Sequence, residues 1–289
     1  MENTHSVREP TDFPGGLRPN MAMQGAPIGV FDSGVGGLSV FREVRRALPG
    51  EDLLYVADSG HAPYGNRPRD FIARRAETIA EFFVSEGAKA IVVACNTATA
   101  VAIQTLRSRF QIAIVAIEPA VKPAARLTRS GIIGILATSH TLASDRLSRL
   151  VQEHGRRIRV LMQPCPGLAE QVEKAELEGA DTEALIARYV SPLVERGADT
   201  IVLGCTHYPF LEAAIRKAAG PDVWVVDPSL AVARELHRRL ETSGLLSRRH
   251  DSGTEHFWTS GDPGQVRRVV AQLWGKEVAI RSLPPEFAA

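Results

Sequence analysis

Two cysteines stand at matching positions in this sequence, each directly after a run of apolar residues. Cys95 follows Ala90–Ala94 and Cys205 follows Thr200–Gly204, and a helical pattern comes next in both cases. In open α/β sheets, ligands bind outside the carboxyl ends of the strands, so both thiols are expected at a cleft. The N-terminus of the following helix offers free N–H groups and the positive end of a dipole, which favour a thiolate. This pattern predicts two ionisable thiols.

Two thiols that approach one ligand from opposite sides suit the inversion of a carbon that bears hydrogen. One thiolate removes the proton from one face, and the other thiol delivers a proton to the opposite face. The simpler interpretations are two buried apolar side chains, a redox pair or a zinc site. Neither position has a Cys-x-x-Cys spacing, and only His207 lies near enough to be a further zinc ligand. Acid–base chemistry without a metal is therefore favoured.

A glycine-rich stretch, residues 31–38, follows the first apolar run and contains Asp32 and Ser33. It lacks the G-x-G-x-x-G spacing of dinucleotide sites and the lysine of a P-loop, so neither cofactor is predicted. Asp32 is either a helix cap or a carboxylate that holds a substrate ammonium or accepts a proton from a thiol. His207 is either exposed to solvent or placed to stabilise the Cys205 thiolate or relay its proton.

Further polar groups follow the other apolar runs. The loop of residues 55–65 offers backbone N–H groups for a carboxylate, and its Pro63 and Gly65 predict a turn. Thr97 and Thr206 either cap helices or bind a ligand. Cys165 has no comparable strand–cysteine–helix pattern and is interpreted as structural.

The elements that position these residues are short apolar strands alternating with amphipathic helices. The clearest helix begins at Pro68, carries Ile72, Ala76, Ile79 and Phe83 on one face, and stops at Gly87. The alternation predicts an α/β fold with mostly parallel sheets covered by helices. The predicted strands are Ile28–Phe31, Leu53–Ala57, Ala90–Ala94, Ile112–Ala116, Ile132–Leu136, Ile158–Met162, Thr200–Gly204 and Val223–Val226.

An internal repeat indicates two similar lobes related by a pseudo-two-fold axis. Residues 87–96 match residues 197–206 at Gly, Ala, Ile, Val and Cys, and a weaker match joins 28–33 to 133–138. The alternative is that any two βα units look alike. We expect lobe one at 27–118 plus 227–289, lobe two at 119–226, and a disordered extension at 1–26.

Charge and composition exclude several classes of protein. The net charge is +1, from 34 basic and 33 acidic residues, so no basic surface is predicted for nucleic acid or an anionic membrane. No apolar run approaches the ~20 residues that span a bilayer, and no secretory signal is recognisable. The three cysteines form an odd set, which predicts free thiols and a cytoplasmic location.

Four motifs together resemble the glutamate racemases of the aspartate/glutamate racemase superfamily. They run in the family's order and lie at residues 29–38, 62–65, 94–100 and 204–209. The resemblance implies interconversion of L- and D-glutamate with no cofactor and no metal, which supplies D-glutamate for bacterial peptidoglycan. It also implies a two-lobed fold with the site between the lobes, and many members are dimers, so a homodimer is expected.

The resemblance also implies roles for individual residues. Cys95 and Cys205 are the acid/base pair, with Asp32 and His207 assisting the thiols. A further acidic helper is Glu173, with Glu170 and Glu176 as neighbouring alternatives. The substrate is expected to contact Asp32, Ser33, Tyr64, Gly65, Asn96, Thr97, Thr138, Thr206 and His207.

Two other functions are compatible with the sequence. A racemase or decarboxylase of the same superfamily would act on aspartate, a hydantoin or a malonate, whereas residues 63–65 and 206–207 favour glutamate. A two-lobed protein that binds an amino acid without chemistry is the other candidate, and the paired thiols argue against it.

Overall fold

The computed structural model describes residues 23–155, 157–249 and 251–289 of the 289-residue chain. Its strands are short and most are buried on both faces. In chain order they are β1 (Ile28–Asp32), β2 (Leu53–Ala57), β3 (Ala90–Val93), β4 (Ala113–Ala116), β5 (Ile132–Ala137), β6 (Arg159–Pro164), β7 (Thr200–Leu203), β8 (Trp224–Val226), β9 (Glu255–Thr259) and β10 (Ile280–Ser282).

Helices connect successive strands, as right-handed crossovers between parallel strands require. They are α1 (Leu38–Ala47), α2 (Arg69–Ser85), α3 (Asn96–Arg109), α4 (Val121–Leu127), α5 (Ser139–Leu142), α6 (Asp145–His154), α7 (Leu168–Glu173), α8 (Ala180–Glu195), α9 (Glu212–Ala219), α10 (Ser229–Thr242), α11 (Pro263–Trp274) and α12 (Pro285–Ala288). Two 3-10 turns lie at Tyr64–Asn66 and Tyr208–Leu211. Within the described residues, no helix combines the length and the apolar character needed to cross a bilayer.

The strands form two parallel sheets. The six-stranded sheet has the order β10–β9–β2–β1–β3–β4, and the four-stranded sheet has the order β6–β5–β7–β8. The order β2–β1–β3–β4 in the first sheet corresponds to β6–β5–β7–β8 in the second. Strand β1 is therefore equivalent to β5, and β3 to β7, which are the pairs that the internal repeat indicates. The predicted α/β class with two similar parallel sheets is confirmed.

The apolar core lies on both faces of the six-stranded sheet. In β1, Ile28 and Val30 face one layer and Phe31 faces the other, and all three are fully buried. The first layer extends to Leu136 and Leu203 of the second sheet, so one continuous core joins the two sheets. This rigid framework fixes the strand ends at which the cysteines stand.

The eight predicted strands are present, and their ends differ from the predicted ones by two residues at most. Strands β9 and β10 were not predicted, because their sequences Glu-His-Phe-Trp-Thr and Ile-Arg-Ser are not continuously apolar. Strand β10 is the edge strand of the six-stranded sheet, with exposed polar side chains, and β9 lies next to it, with Glu255 and His256 half-buried.

Residues 1–22 of the predicted disordered extension lie outside the described residues. Close to β1, the Lys89 ammonium donates a hydrogen bond to the Gln24 carbonyl at 2.6 Å. The predicted lobe boundaries stay a prediction.

Candidate active site

The two thiols occupy equivalent positions in the two sheets. Cys95 stands two residues after β3 and Cys205 two residues after β7, and both side chains are buried. One cavity between the sheets is lined by both. Of the other predicted site residues, that cavity is also lined by Ser33, Tyr64, Gly65, Asn96, Thr97, Thr138, Thr206 and His207. The structure thus brings together residues that are far apart in the sequence.

The cavity is closed in this conformation. Its free space is about 10 Å³, which is room for about one water molecule. Sites that hold small molecules usually measure ~300–1,000 Å³. A ligand of amino-acid size therefore enters only when the walls move apart, and closure afterwards excludes water from the thiols.

Cys95 is the N-cap residue of α3. Its sulfur accepts the Ala98 N–H at 3.4 Å, and its thiol lies 3.7 Å from the Ser33 hydroxyl oxygen. Burial nevertheless raises the pKa of Cys95 to about 12, and the charge of Asp32 adds to the rise. The expectation that the helix N-terminus favours a thiolate is wrong for Cys95 in the closed site, because loss of water outweighs one N–H donor. Its thiolate is correspondingly a strong base.

Cys205 is the first member of a hydrogen-bonded chain. Its sulfur lies 3.5 Å from His207 Nδ1, and His207 Nε2 lies 2.6 Å from Glu173 Oε1. Burial by itself lowers the pKa of His207, but Cys205 and Glu173 overcome that effect and hold the pKa well above its usual value. Of the three glutamates considered from the sequence, Glu173 is the one that contacts His207, whereas Glu170 is bonded to Asn66.

Asp32 lies behind the cavity at the end of β1 and is fully buried. Its carboxylate accepts the Gly34 N–H and the Thr206 hydroxyl, both at 3.1 Å. Burial raises the pKa of Asp32; the charge of His207 opposes this rise and that of Glu173 adds to it. Asp32 is therefore a buried carboxyl group that bonds to residues of both sheets.

The glycine-rich stretch allows the second sheet's residues to approach closely. A side-chain carbon at Gly34 would lie 1.8 Å from Glu173 Oε1, and one at Gly36 would lie 2.4 Å from His207 Nδ1. The backbone N–H of Val35 donates to Glu173 Oε1 at 2.8 Å. In this chain the glycines make room for an imidazole and a carboxylate.

Replacing Gly36 with alanine is expected to lower kcat by about 10²-fold, because a displacement of ~1 Å at a catalytic group costs that much. The added methyl group would push the His207 ring away from Cys205. Steady-state kinetics with purified G36A measure the effect. The matched control is Gly264→Ala, whose added carbon would lie 3.2 Å from the Asp262 carboxylate at the start of α11, away from the candidate site. Unchanged kcat in G36A would show that His207 needs no fixed position.

Asn96 has a buried amide with unused hydrogen-bonding capacity. Neither its nitrogen nor its oxygen has a hydrogen-bond partner among the described residues. A buried amide without partners costs free energy, so a ligand that supplies partners is favoured at this point. Beside it, the Thr97 and Thr138 hydroxyls are bonded to each other at 2.9 Å. Thr138 also caps α5, a role that the sequence suggested only for Thr97 and Thr206.

Tyr64 lines the cavity, and its hydroxyl belongs to a buried network. That hydroxyl donates to Asp58 at 2.5 Å, and the Arg75 guanidinium donates to both oxygens of the same carboxylate at 3.1 and 2.8 Å. His61 Nδ1 is a further partner at 3.1 Å. Arg75 was not singled out from the sequence, although it stands three residues after Ile72 and four before Ile79, on the buried face of α2.

Replacing Asp58 with asparagine is expected to destabilise the fold by about 3–5 kcal/mol, since it removes the charged partner of the buried Arg75 and leaves it the Phe287 and Ala289 carbonyls. Burial raises the pKa of Asp58, but the bonds from His61, Arg75 and Tyr64 overcome this and hold the pKa well below its usual value. This contribution is therefore present above the ordinary value of 3.8 and is lost as pH falls toward the folded pKa.

The free energies of unfolding of D58N and wild type are measured with urea from about pH 3 to about pH 8, a range that includes the ordinary carboxyl pKa. Their difference at each pH gives the contribution of Asp58 to stability. Asp222→Asn, at an exposed position, is the control. Equal midpoints for D58N and wild type at neutral pH would contradict the assignment.

Cys165 is buried in the core, and its thiol lies 3.3 Å from the Gln163 carbonyl. Burial, together with the nearby Cys205, raises the pKa of Cys165 to about 12. It does not line the cavity that contains Cys95 and Cys205. It lines a neighbouring cavity that shares Pro63, Gly65, Thr138 and Ala169 with the thiol cavity, and its structural role stays a prediction.

Comparison with known proteins identifies the family to which this chain belongs. A family model for Asp/Glu/hydantoin racemases matches residues 28–236. The chain belongs to this racemase family, and the predicted resemblance and the predicted enzyme class, an isomerase, are confirmed.

Several relatives within that family are glutamate racemases. The glutamate racemase of Methylococcus capsulatus is 54% identical over 263 residues, which cover 91% of this chain and 97% of the relative. The solved glutamate racemase isoform from Bacillus anthracis superposes with a TM-score of 0.84 at 31% identity, covering 91% of this chain and 99% of that one. The Francisella tularensis glutamate racemase, solved in complex with D-glutamate, has a TM-score of 0.80 at 28% identity, with coverages of 91% and 98%.

Proposed function

We propose that this protein interconverts L- and D-glutamate by transferring the α-proton between Cys95 and Cys205. The observation that carries the proposal is that both thiols line one closed cavity from equivalent strand ends of the two sheets. Its relatives are glutamate racemases, and one of them was solved with D-glutamate bound. One thiolate removes the α-proton, and the opposite thiol protonates the other face of the carbanion.

The buried groups around the thiols support this chemistry. The α-proton of an amino acid is far less acidic than a thiol, so the base must be strong and the carbanion must be stabilised. The raised pKa of Cys95 provides a strong base. Asn96 and Thr97 open α3 directly after Cys95, with amide and hydroxyl groups buried at that helix N-terminus, where a carboxylate would be neutralised. Thr206 follows Cys205 before a 3-10 turn, and its hydroxyl donates to Asp32.

Each assisting residue has a proposed role that follows from its contacts. His207 stabilises the Cys205 thiolate, and Glu173 orients His207. Asp32 lies buried behind the cavity, where its charge adds to the effect of burial in raising the pKa of Cys95, and its contact with the substrate ammonium stays a prediction. The proposed substrate contacts are those listed for the family above, except that the Tyr64 hydroxyl serves Asp58 and leaves the ring to pack against the ligand. No cofactor or metal is part of the proposed reaction.

The biological setting follows from the product. We propose that the D-glutamate supplies peptidoglycan synthesis in the cytoplasm, and that the partner of the protein is its small-molecule substrate. A homodimer stays a prediction.

The substrate assignment is tested with purified enzyme and no added cofactor. L-glutamate, L-aspartate and a hydantoin are incubated separately, and chiral chromatography follows the opposite enantiomer. We expect rapid inversion of glutamate alone. Faster inversion of aspartate or hydantoin would contradict the substrate, and glutamate binding without inversion would identify a binding protein.

A further inference from the structure

The cavity that contains the two thiols has one wall that is held from outside the site. Residues 63–65 line that cavity, and a side-chain carbon at Gly65 would lie 3.2 Å from the Thr138 methyl carbon of the second sheet. This segment therefore bridges the two sheets beside the thiols. Its position must be restored each time the cavity opens to admit a ligand and closes again.

The Tyr64 hydroxyl ties this wall to a buried carboxylate. It donates to Asp58 Oδ2 at 2.5 Å, and the Asp58 backbone N–H donates to the Asp32 carbonyl at 3.1 Å. Burial and the charge of Asp58 raise the pKa of Tyr64 well above its usual value, so the hydroxyl keeps its proton and remains a donor. Asp58 thus contacts both a wall residue of the cavity and the end of β1.

Arg75 joins Asp58 to α12. Its Nε and Nη2 atoms donate to the two carboxylate oxygens of Asp58 at 3.1 and 2.8 Å. Nη2 also donates to the Phe287 carbonyl at 2.9 Å, and Nη1 donates to the Ala289 carbonyl. All three nitrogens of this buried guanidinium are therefore used, and together they connect the carboxylate that holds Tyr64 to the carbonyls of α12.

The Phe287 side chain packs α12 against the core. Its ring meets Phe82 of α2 edge to face with the ring centroids 5.5 Å apart, and Phe82 meets Trp258 of β9 in the same way at 5.4 Å. Aromatic pairs of this kind prefer a defined mutual orientation. The carbonyls that Arg75 uses are therefore presented from a helix whose position is fixed by packing.

We propose that α12 is a remote positioning element of the active site, which acts through Arg75, Asp58 and Tyr64 on the cavity wall. This inference rests on the proposed racemase function. None of residues 285–289 is among the described residues that line the thiol cavity, so the effect is indirect. A displacement of ~1 Å costs about 10²-fold in rate, so a small shift of Tyr64 is enough to be measured.

Two substitutions interrupt this connection at its two ends. Tyr64→Phe removes only the hydroxyl, and Phe287→Ala removes the ring that packs α12 against Phe82. We expect each to raise KM for glutamate and to lower kcat/KM by about 10- to 10²-fold, up to the cost of a ~1 Å displacement. Because both act through the same link, the double variant Y64F/F287A should lose little more than Y64F alone. Phe287→Leu keeps an apolar side chain at this position and is expected to recover most of the activity.

Glu51→Gln is the matched control for the loss of buried structure. Glu51 forms a buried ion pair with Lys89 at 2.5 Å, and neither is among the described residues that line the thiol cavity. E51Q is expected to lose stability, as a broken buried ion pair does, and to keep the wild-type KM. Partial unfolding lowers the apparent kcat through the amount of active enzyme and leaves KM unchanged, so KM separates positioning from stability.

Steady-state kinetics on glutamate, at a temperature where urea unfolding shows each variant to be folded, test the proposal. A raised KM in F287A, its recovery in F287L and no further loss in the double variant are the expected results. Should F287A fail to fold, Arg75→Lys, which keeps the charge and loses the planar fork, takes its place with the same expected change in KM. A wild-type KM in F287A or its replacement, additive losses in the double variant, or an equal rise of KM in E51Q would overturn the role of α12. An inactive wild-type enzyme would instead refute the racemase function.

Discussion

Replacing either Cys95 or Cys205 with serine is expected to lower kcat for glutamate racemisation by ~10³-fold or more, since a positioned acid or base contributes up to about 10⁴-fold. A serine hydroxyl is close to a thiol in size but is a much weaker acid, so the loss reports proton transfer. The enantiomers of glutamate have equal free energies. The equilibrium therefore requires kcat/KM to fall by the same factor in both directions, even when only one thiol is replaced.

Polarimetry on purified C95S and C205S measures this prediction. The control is Cys165→Ser, a third buried cysteine that lies outside the closed cavity, and its kcat is expected to stay within about threefold of wild type, a change below ~1 kcal/mol. Full turnover by C95S or C205S would exclude the paired-thiol mechanism. A loss of equal size in C165S would indicate a structural effect of the serine hydroxyl.

Replacing Asp32 with asparagine is expected to lower kcat by about 10²-fold, within the range of a residue that assists proton transfer. The same variant is expected to be at least as stable as wild type. Burial raises the pKa of Asp32 in the folded state, so between its ordinary value of 3.8 and the folded value the native protein binds more protons than the unfolded chain. Stability therefore falls as pH rises through that window, because an ionised carboxylate must stay buried.

Asparagine removes that charge and keeps both hydrogen bonds, since its oxygen accepts the Gly34 N–H and its nitrogen donates to the Thr206 hydroxyl. The free energies of unfolding of D32N and wild type are measured with urea from about pH 4 to about pH 8, a range that starts near the ordinary carboxyl pKa. We expect D32N to be the more stable protein, by a difference that grows as pH rises. A less stable but fully active D32N would contradict the assignment of Asp32 to the chemistry.

Much of the fold follows directly from local sequence. Strands such as β1, β3 and β7 are continuously apolar because both of their faces are buried, and this pattern is readable without any structure. The repeat around the two cysteines also predicts that β3 and β7 have equivalent places in the two sheets, and the strand orders agree. Strands β9 and β10 escape such analysis, because a strand near the edge of a sheet needs no continuous apolar run.

Most members of the candidate site were predictable because they stand in the segment that follows a strand, and Glu173, at the end of α7, is the exception. The contacts of these residues were not predictable. Which glutamate reaches His207 depends on how α7 is placed against the glycine-rich stretch, and the sequence leaves Glu170, Glu173 and Glu176 open. The raised pKa of Cys95 is likewise a result of closure, since a helix N-terminus open to water would have the opposite effect.

The buried ion pair of Asp58 and Arg75 could not be predicted from the sequence alone. An arginine on the apolar face of α2 requires a buried partner, but nothing local indicates that the partner follows β2 or that Tyr64 shares it. Long-range pairing of this kind depends on tertiary packing.

Racemisation of L-glutamate in heavy water tests the central claim most directly. Chiral chromatography separates the enantiomers early in the reaction, and mass spectrometry measures α-deuterium in each. Because one thiol removes the proton and the other, exchanged with solvent, delivers deuterium, D-glutamate should carry deuterium from the start while the remaining L-glutamate keeps its hydrogen. Early D-glutamate that retains the original hydrogen would show that a single group works on both faces, and the two-thiol account would be wrong.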